Sequence, residues 1–294
     1  MEYLQYGVDA LSLGSLYALF ALGVAMVFSI VRLINFAHGE LLMIGGFSLL
    51  FLSGLPTVFR IAASAGIVIV AALAMERIAF RPVRGARDET LLVTSFAVSY
   101  LLQSIAIVAV GATPRSVGVL PKLATPVDVG GLSVPLLDIV SISLTAICLI
   151  ALPLFLKRTS MGVQIRAAAE NFRMARCLGV PANRVIAAAF AISGLLAFVG
   201  SLLLTSQTGL VSTGMGTGPV FAAFVATILG GMGSMAGAVA GAYILGGLTM
   251  VFQAALPLEV RSYRDAFVFG ILVLVLVFRP NGLIQSAAGR QRVV

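Results

Sequence analysis

The chain's only histidine lies in a short polar run between two apolar segments. The run Asn35-Phe36-Ala37-His38-Gly39-Glu40 brings an amide, an imidazole and a carboxylate close together. The apolar segment after it, Leu41 to Leu55, would extend only roughly 22 Å as a helix. If that segment reaches the far surface of a membrane, the polar run lies partly inside, where ionisable side chains usually serve a function. We therefore predict a substrate pathway lined by Asn35, His38, Gly39 and Glu40; the alternative is a plain turn in which Glu40 supports a helix start.

A second interruption is rich in glycine. It follows the short apolar piece Pro219 to Leu229 and reads Gly230-Gly231-Met232-Gly233-Ser234-Met235-Ala236-Gly237. Small residues let helix backbones approach closely, so simple helix packing is one explanation. Interrupted segments at corresponding places in two halves of a chain are, however, typical of a transporter's substrate site. We therefore read the chain as two weakly similar halves and add to the predicted pathway Gly230, Gly231, Gly233 and Ser234.

Composition places these residues in a membrane. Of the 294 residues, 60% are hydrophobic and 10% are charged, and the mean hydropathy is +1.09, whereas about a quarter of a soluble domain is charged. The apolar stretches match the roughly 20 residues that a helix needs to cross a bilayer, and they do not alternate as barrel strands do. We predict an all-α integral membrane protein, a single transmembrane domain over residues 1–294, with about eight transmembrane helices plus one short interrupted helix. The predicted spans are 8–31, 39–55, 59–79, 90–110, 137–156, 183–206, 235–256 and 264–279, and the short helix is 219–229.

Basic residues between the spans predict the orientation of the chain. The net charge is +8, but the arginines are spread among the loops rather than gathered on one soluble face, which excludes nucleic acid as a partner. Lys and Arg are enriched on the cytoplasmic side, so the loop 157–183 and the tail with Arg290 and Arg292 are predicted to be cytoplasmic. The amino terminus and the Pro- and Gly-rich loop 111–136 are then external, and the short helix 219–229 must cross at least in part.

The sequence contains no motif for catalysis or for cofactor binding. It has no G-x-x-x-x-G-K-[ST], no H-E-x-x-H and no C-x-x-C. We therefore expect that this chain is not an enzyme and that it binds no metal and no cofactor. We also expect that another protein supplies the energy for its function. An ion-coupled secondary transporter of small organic solutes is the alternative function. Such carriers need carboxylates deep in the bundle, and only Glu40 and Asp138 could serve.

The loop between Lys157 and Arg184 has a centre that is helical in composition but too polar to cross a membrane. Gly179 followed by Pro181 predicts where that helix ends. An apolar stripe lies beside a basic one on it. The helix could lie on anionic lipid, or it could dock into a groove of a cytosolic partner.

Six segments together resemble the permease family of branched-chain amino acid ABC importers, the LivH-like subunit. They occur in the family's order across nearly the whole chain. The segments are Gly14 to Leu19, Ile34 to Glu40, Glu76 to Arg84, Arg166 to Gly179, Leu229 to Gly237, and Arg279 to Leu283.

The resemblance implies a type II ABC importer-like permease in the bacterial inner membrane. It implies four partners besides membrane lipid: a related second permease, two cytosolic ATP-binding subunits that hold ATP and Mg, and a periplasmic solute-binding protein. The substrate would be a branched-chain amino acid by default, whereas related permeases handle urea, short amides or aromatic carboxylates. The resemblance also implies a coupling helix at Ala169 to Leu178. The residues expected to contact the ATPase are Arg166, Ala169, Glu170, Asn171, Arg173, Leu178 and Gly179.

Overall fold

The computed structural model describes residues 2–120, 126–129, 132–257, 259–279, 282 and 283. Arg290 and Arg292, predicted to lie in a cytoplasmic tail, are outside the described residues. The helices are α1 (Glu2–Val31), α2 (His38–Phe51), α3 (Thr57–Met75, continued by a π-helical turn Glu76–Phe80), α4 (Asp88–Val110), α5 (Leu136–Arg158), α6 (Ser160–Glu170), α7 (Phe172–Cys177), α8 (Ala182–Thr208), α9 (Thr217–Gly230), α10 (Met235–Ala255) and α11 (Arg264–Phe278). The strands are β1 (Arg115–Ser116), β2 (Pro126–Val129), β3 (Leu132–Pro135) and β4 (Leu210–Val211).

The all-α prediction is confirmed, but the number of long spans differs from the prediction. Six of the described helices, α1, α3, α4, α5, α8 and α10, are long and apolar enough to cross a membrane. The predicted spans 39–55 and 264–279 form shorter helices, α2 with 14 residues and α11 with 15. Helix α2 ends early because Gly54 and Pro56 follow it, and both residues favour turns. The predicted short helix 219–229 is α9, which also has 14 residues.

Helix α1 is the axis of the structure. Of the most hydrophobic 18-residue stretch of α1, 89% is buried. The buried share of the corresponding stretch is 28% in α3, 17% in α4 and 22% in α5. It packs against α5, α8, α9 and α10, and at α10 the Ser15 and Tyr243 hydroxyls lie 3.1 Å apart. A helix that is hydrophobic all round belongs in a core. Helices α3, α4 and α5 therefore present most of their apolar surface outward, to lipid or to another subunit.

Short strands mark one end of the molecule, here called the strand end. Strand β1 follows α4 and pairs antiparallel with β4, which follows α8, while β2 and β3 form a hairpin within 111–136. Arg60 at the start of α3 also lies here, because its Nε donates to Leu49 O (2.6 Å) and its Nη1 to Gly118 O (3.1 Å). The opposite end, here called the basic end, holds the loop 81–87, helices α6 and α7, and the α9–α10 turn.

An ion pair between Arg84 and Glu76 holds the basic end together. Arg84 Nη1 also donates to Asn183 Oδ1 (2.7 Å), so one side chain joins the π-helical turn, the loop 81–87 and the start of α8. Burial lowers the pKa of Arg84 below its usual value. That shift reflects the desolvation cost that the ion pair offsets.

Arg84→Ala should destabilise the chain by about 3 kcal/mol, because it leaves the buried Glu76 carboxylate without its partner. The measurement is the Tm of the detergent-purified chain. Arg81→Ala is the control, since Arg81 is an exposed arginine of the same loop. Equal Tm values for the two variants would contradict the role given to the ion pair.

Candidate functional site

The polar run predicted to line a pathway lies deep inside the helical body. Between α1 and α2 the backbone is non-helical over residues 32–37. His38, the first residue of α2, lies beside Ser193 near the middle of α8. Glu40 accepts a hydrogen bond from Ser99 near the middle of α4. Because both partners lie midway along spanning helices, α2 starts at mid-membrane depth, where irregular backbone is tolerated only against protein or a water-filled cavity.

His38 is fully buried between α1 and α8. The Ser193 hydroxyl donates to Gly23 O (2.8 Å), so His38 Nδ1, 3.2 Å from Ser193 Oγ, is the donor in that contact. Nε2 is then an acceptor, and it has no hydrogen-bond partner in the described part of the chain. A Cβ on Gly23 would lie 2.6 Å from Nε2. The imidazole therefore fills the space that Gly23 leaves, and its role in a pathway stays a prediction.

Glu40 and Asn35 are also buried and only partly hydrogen-bonded. The Ser99 hydroxyl donates to Glu40 Oε1 (2.8 Å), whereas Glu40 Oε2 has no partner among the described residues. Asn35 Nδ2 lies 3.9 Å from Met75 Sδ, and Asn35 Oδ1 likewise has no partner there. Each buried polar atom without a partner costs about 1–3 kcal/mol, which makes this cluster the best candidate for a functional site. The residues that the structure describes include no group of His, Cys, Asp or Glu side chains arranged to hold a metal ion.

Gly39 joins the start of α2 to the start of α9. A Cβ on Gly39 would lie 2.7 Å from Gly216 O, and a Cβ on Gly216 would collide with Gly39 O. Two helices of 14 residues thus begin at one place, here called the Gly39–Gly216 junction. Gly216 is not among the pathway residues predicted from the sequence. The signal was present, because three glycines, Gly214, Gly216 and Gly218, precede Pro219 at the start of the short helix.

The second set of predicted pathway residues lies in the α9–α10 turn at the basic end. Ser234 caps α10 by accepting a hydrogen bond from Gly237 N (3.0 Å), and the Gly230 backbone touches the Gly237 backbone. Gly231 and Gly233 have positive φ values of 105° and 91°. The structure brings these four residues together in one turn, while the polar run lies at mid-depth. Capping and close packing account for their positions, and a role in the pathway stays a prediction.

An aromatic cluster adjoins the polar run. The ring of Phe36 stacks on Phe96 of α4, with centroids 4.0 Å apart and an interplanar angle of 18°. It also contacts Phe224 and Phe221 of α9, at centroid distances of 4.6 and 5.9 Å. None of the four rings is among the pathway residues predicted from the sequence, although Phe36 stands inside the polar run. Phe36, two residues before α2, therefore contacts both α4 and α9.

A small apolar cavity lies against Phe36, between α1 and α9. Its volume is about 100 Å³. The Thr227 hydroxyl donates to Ala223 O (2.7 Å), so its proton is not available to a molecule in the cavity. The cavity is lined by Val24, Phe28, Ile34, Phe36, Phe224, Thr227, Ile228 and Met232.

The predicted coupling helix is two helices rather than one. The backbone at Asn171 is extended (φ −149°), and its side chain caps α7 by accepting a hydrogen bond from Met174 N (3.0 Å). Asparagine favours such caps over helix interiors, which is why α6 ends at Glu170. Arg166 Nε donates to Leu156 O (2.9 Å) and ties α6 to α5.

Helix α7 ends at Cys177, and Gly179, two residues later, stops it as predicted from the sequence. Gly179 has a φ of +85°, and Val180 N donates to Ala175 O while Gly179 N donates to Arg176 O, both at 3.0 Å. This is a Schellman motif, which favours glycine at the position with positive φ.

The outer face of α7 is apolar and basic. Leu178 is 80% exposed and Met174 is 58% exposed. Arg173 and Arg176 are exposed beside them, whereas Ala175 is buried against the body. We call the exposed residues Glu170, Asn171, Arg173, Met174, Arg176 and Leu178 the coupling surface, after the role that the resemblance implies; that role stays a prediction.

Known proteins resemble this chain over nearly its whole length. Residues 7–276 match the family described as branched-chain amino acid transport system / permease component. The chain is 34% identical to the high-affinity branched-chain amino acid transport system permease protein BraD of Pseudomonas aeruginosa, over 96% of each protein. It is also 34% identical to the LivH permease protein of Escherichia coli (strain K12), over 97% of this chain and 96% of that protein. Among solved structures, a chain of PsaBC from Streptococcus pneumoniae in complex with Fab matches this chain with a TM-score of 0.51 and 14% sequence identity. The match covers 99% of this chain and 94% of that chain, so the two share a fold.

Proposed function

This chain belongs to the family of permease components of branched-chain amino acid ABC transporters, and we propose from that premise that it moves a branched-chain amino acid inward across the bacterial inner membrane. It is a transport subunit and not an enzyme. In the proposed importer it pairs with a related second permease. Two cytosolic ATP-binding subunits, which hold ATP and Mg²⁺, drive the pair, and a periplasmic solute-binding protein delivers the substrate.

The coupling surface is the observation that carries this proposal. A helix pair too polar to span a membrane exposes Met174 and Leu178 next to two arginines. Exposed apolar side chains bordered by charge are typical of a docking site. When an ATP-binding subunit moves α7, α6 would move with it and would displace α5, because Arg166 of α6 is hydrogen-bonded to Leu156 of α5.

The proposed orientation places the basic end in the cytoplasm. Arginines concentrate there, in the loops 81–87 and 157–183, as expected for a cytoplasmic face. Leu283 N donates to Leu229 O (2.8 Å), so the last described residues lie at the same end. The amino terminus would then be periplasmic and the carboxyl terminus cytoplasmic.

The candidate site suits a small apolar amino acid. Its aromatic cluster and apolar cavity offer a surface for an aliphatic side chain, and the unpartnered polar atoms of Asn35 and Glu40 offer hydrogen bonds. The cavity is lined by apolar groups and by Thr227, whose hydroxyl is already bonded, which favours an aliphatic side chain over a polar one.

Reconstitution tests the proposed function. Proteoliposomes that contain this chain, the second permease and both ATP-binding subunits should import leucine when ATP and the binding protein are present. Omission of the ATP-binding subunits should abolish import. Leucine accumulation by this chain alone under a proton or sodium gradient would instead support the ion-coupled carrier.

A further inference from the structure

We propose that the Glu40 carboxylate is the site at which this permease binds the ammonium group of the amino acid it transports. The inference rests on the proposed function and identifies the chemistry of its site. Glu40 is 3% exposed at mid-membrane depth, and ionisable groups at such depth are rare unless they take part in transport. The Ser99 hydroxyl and the rings of Phe36 and Phe96 complete the site.

The hydrogen bonding of Glu40 leaves room for a cationic partner. Ser99 satisfies Oε1 only, and Oε2 has no partner among the described residues. The ion pairs found in the described chain are Arg84 with Glu76 and Arg264 with Asp265, and neither involves Glu40. A buried carboxylate without a counter-charge is costly. A primary ammonium group has three donors and fits both Oε2 and the Ser99 oxygen.

The aromatic walls suit the same ligand group. Phe96 lies one helical turn before Ser99 on α4, and it stacks on Phe36, which precedes Glu40 by four residues. A cation over an aromatic face is attracted by the ring quadrupole when it lies within about 6 Å of the centroid. The two rings thus lie at the start of α2 and on α4, the same elements that carry the carboxylate and Ser99.

The apolar part of an amino acid would have a cavity lined by Phe36 close by. The cavity of about 100 Å³ shares Phe36 and Phe224 with the aromatic cluster. An ammonium group at Glu40 would therefore leave an aliphatic side chain close to an apolar space. Sugars and other polyhydroxy compounds would lose hydrogen bonds there without replacement.

Helix α4 covers Glu40 on one side. It packs mainly on α2 and on the π-helical turn 76–80, and most of its surface faces outward. Phe96 is 37% exposed and Phe221 is 46% exposed, so the aromatic cluster reaches the surface between α4 and α9. A small displacement of α4 away from α2 would expose the Glu40 carboxylate.

Equilibrium binding of radiolabelled leucine to the assembled permease and ATPase complex in lipid nanodiscs, without the binding protein, tests the proposal. Isoamylamine keeps the ammonium group of leucine and lacks the carboxylate, whereas 4-methylpentanoate keeps the carboxylate and lacks the ammonium group. We expect isoamylamine to displace leucine and 4-methylpentanoate at the same concentration to fail. Glu40→Gln should weaken leucine binding about tenfold or more, and Ser99→Ala about threefold. Glu89→Gln, which changes an exposed glutamate of α4, should bind leucine as the wild type does.

Equal displacement by the two compounds, unchanged binding in Glu40→Gln, or no leucine binding by the wild-type complex at millimolar concentration would each overturn the proposal. The comparison of the two compounds uses the unaltered chain, so a misfolded variant cannot produce its result. Failure of the proposed function has a different signature, because the complete importer would then not take up leucine with ATP. Failure of the Glu40 assignment alone leaves that uptake intact.

Discussion

Leu178→Asp should abolish ATP-driven uptake while the chain remains folded in the membrane. Leu178 is 80% exposed, and substitution of an exposed residue typically changes stability by less than about 0.5 kcal/mol. At an interface the same change removes an apolar anchor, which typically costs about 2 kcal/mol or more, and it also buries an unpaired charge. We therefore expect the affinity for the ATP-binding subunits to fall by at least about thirtyfold.

Co-purification of the ATP-binding subunits with the tagged permease measures this loss directly. Leu210→Asp is the matched control, because Leu210 is also an exposed leucine but lies at the strand end. That variant should retain both subunits. If Leu178→Asp retains them equally well, the coupling surface does not lie on α7.

Hydrophobicity and segment length were sufficient to predict an all-α protein with several membrane-spanning helices, but not the number of long spans. The segment after Glu40 is too short to cross alone, and this length argument predicted that Asn35 to Glu40 lie partly inside the membrane. The contacts of Glu40 with the middle of α4 and of His38 with the middle of α8 support that prediction. The same reasoning overestimated α2. A run of apolar residues continues to Leu55, but the helix ends at Phe51 because the residues after it form a turn.

The contacts of the candidate site could not be predicted from the sequence, because they join residues far apart in the chain. Glu40 meets Ser99 and Gly39 meets Gly216 only because α4 and α9 pack beside α2. Helical periodicity indicates which face of a helix is apolar and does not indicate which helix covers it. The break at Asn171 has a local cause, since its side-chain cap competes with a continuous helix, and composition alone did not reveal it.

Gly216→Ala should remove most of the assembled and active importer. The added Cβ would collide with the Gly39 carbonyl oxygen, which belongs to a backbone and cannot rotate away. Overpacking in a core usually costs about 1–3 kcal/mol and occasionally more, and a clash between two backbones belongs at the upper end. The shift would also reach His38 and Glu40, which adjoin Gly39. The measurements are the yield of monodisperse complex and the leucine uptake per complex.

Gly218→Ala isolates the cause, because it makes the same change two residues later. A Cβ on Gly218 meets nothing within 4 Å, and neither Gly216 nor Gly218 has a positive φ, so the two substitutions differ chiefly in the backbone collision. Gly39→Ala should also lower the yield, since its Cβ would lie 2.7 Å from Gly216 O. The double variant should lose less than the sum of the single variants, because both act on one contact. If Gly216→Ala matches Gly218→Ala in yield and uptake, the two short helices are not held at the Gly39–Gly216 junction, and Glu40 must be positioned by α4 alone.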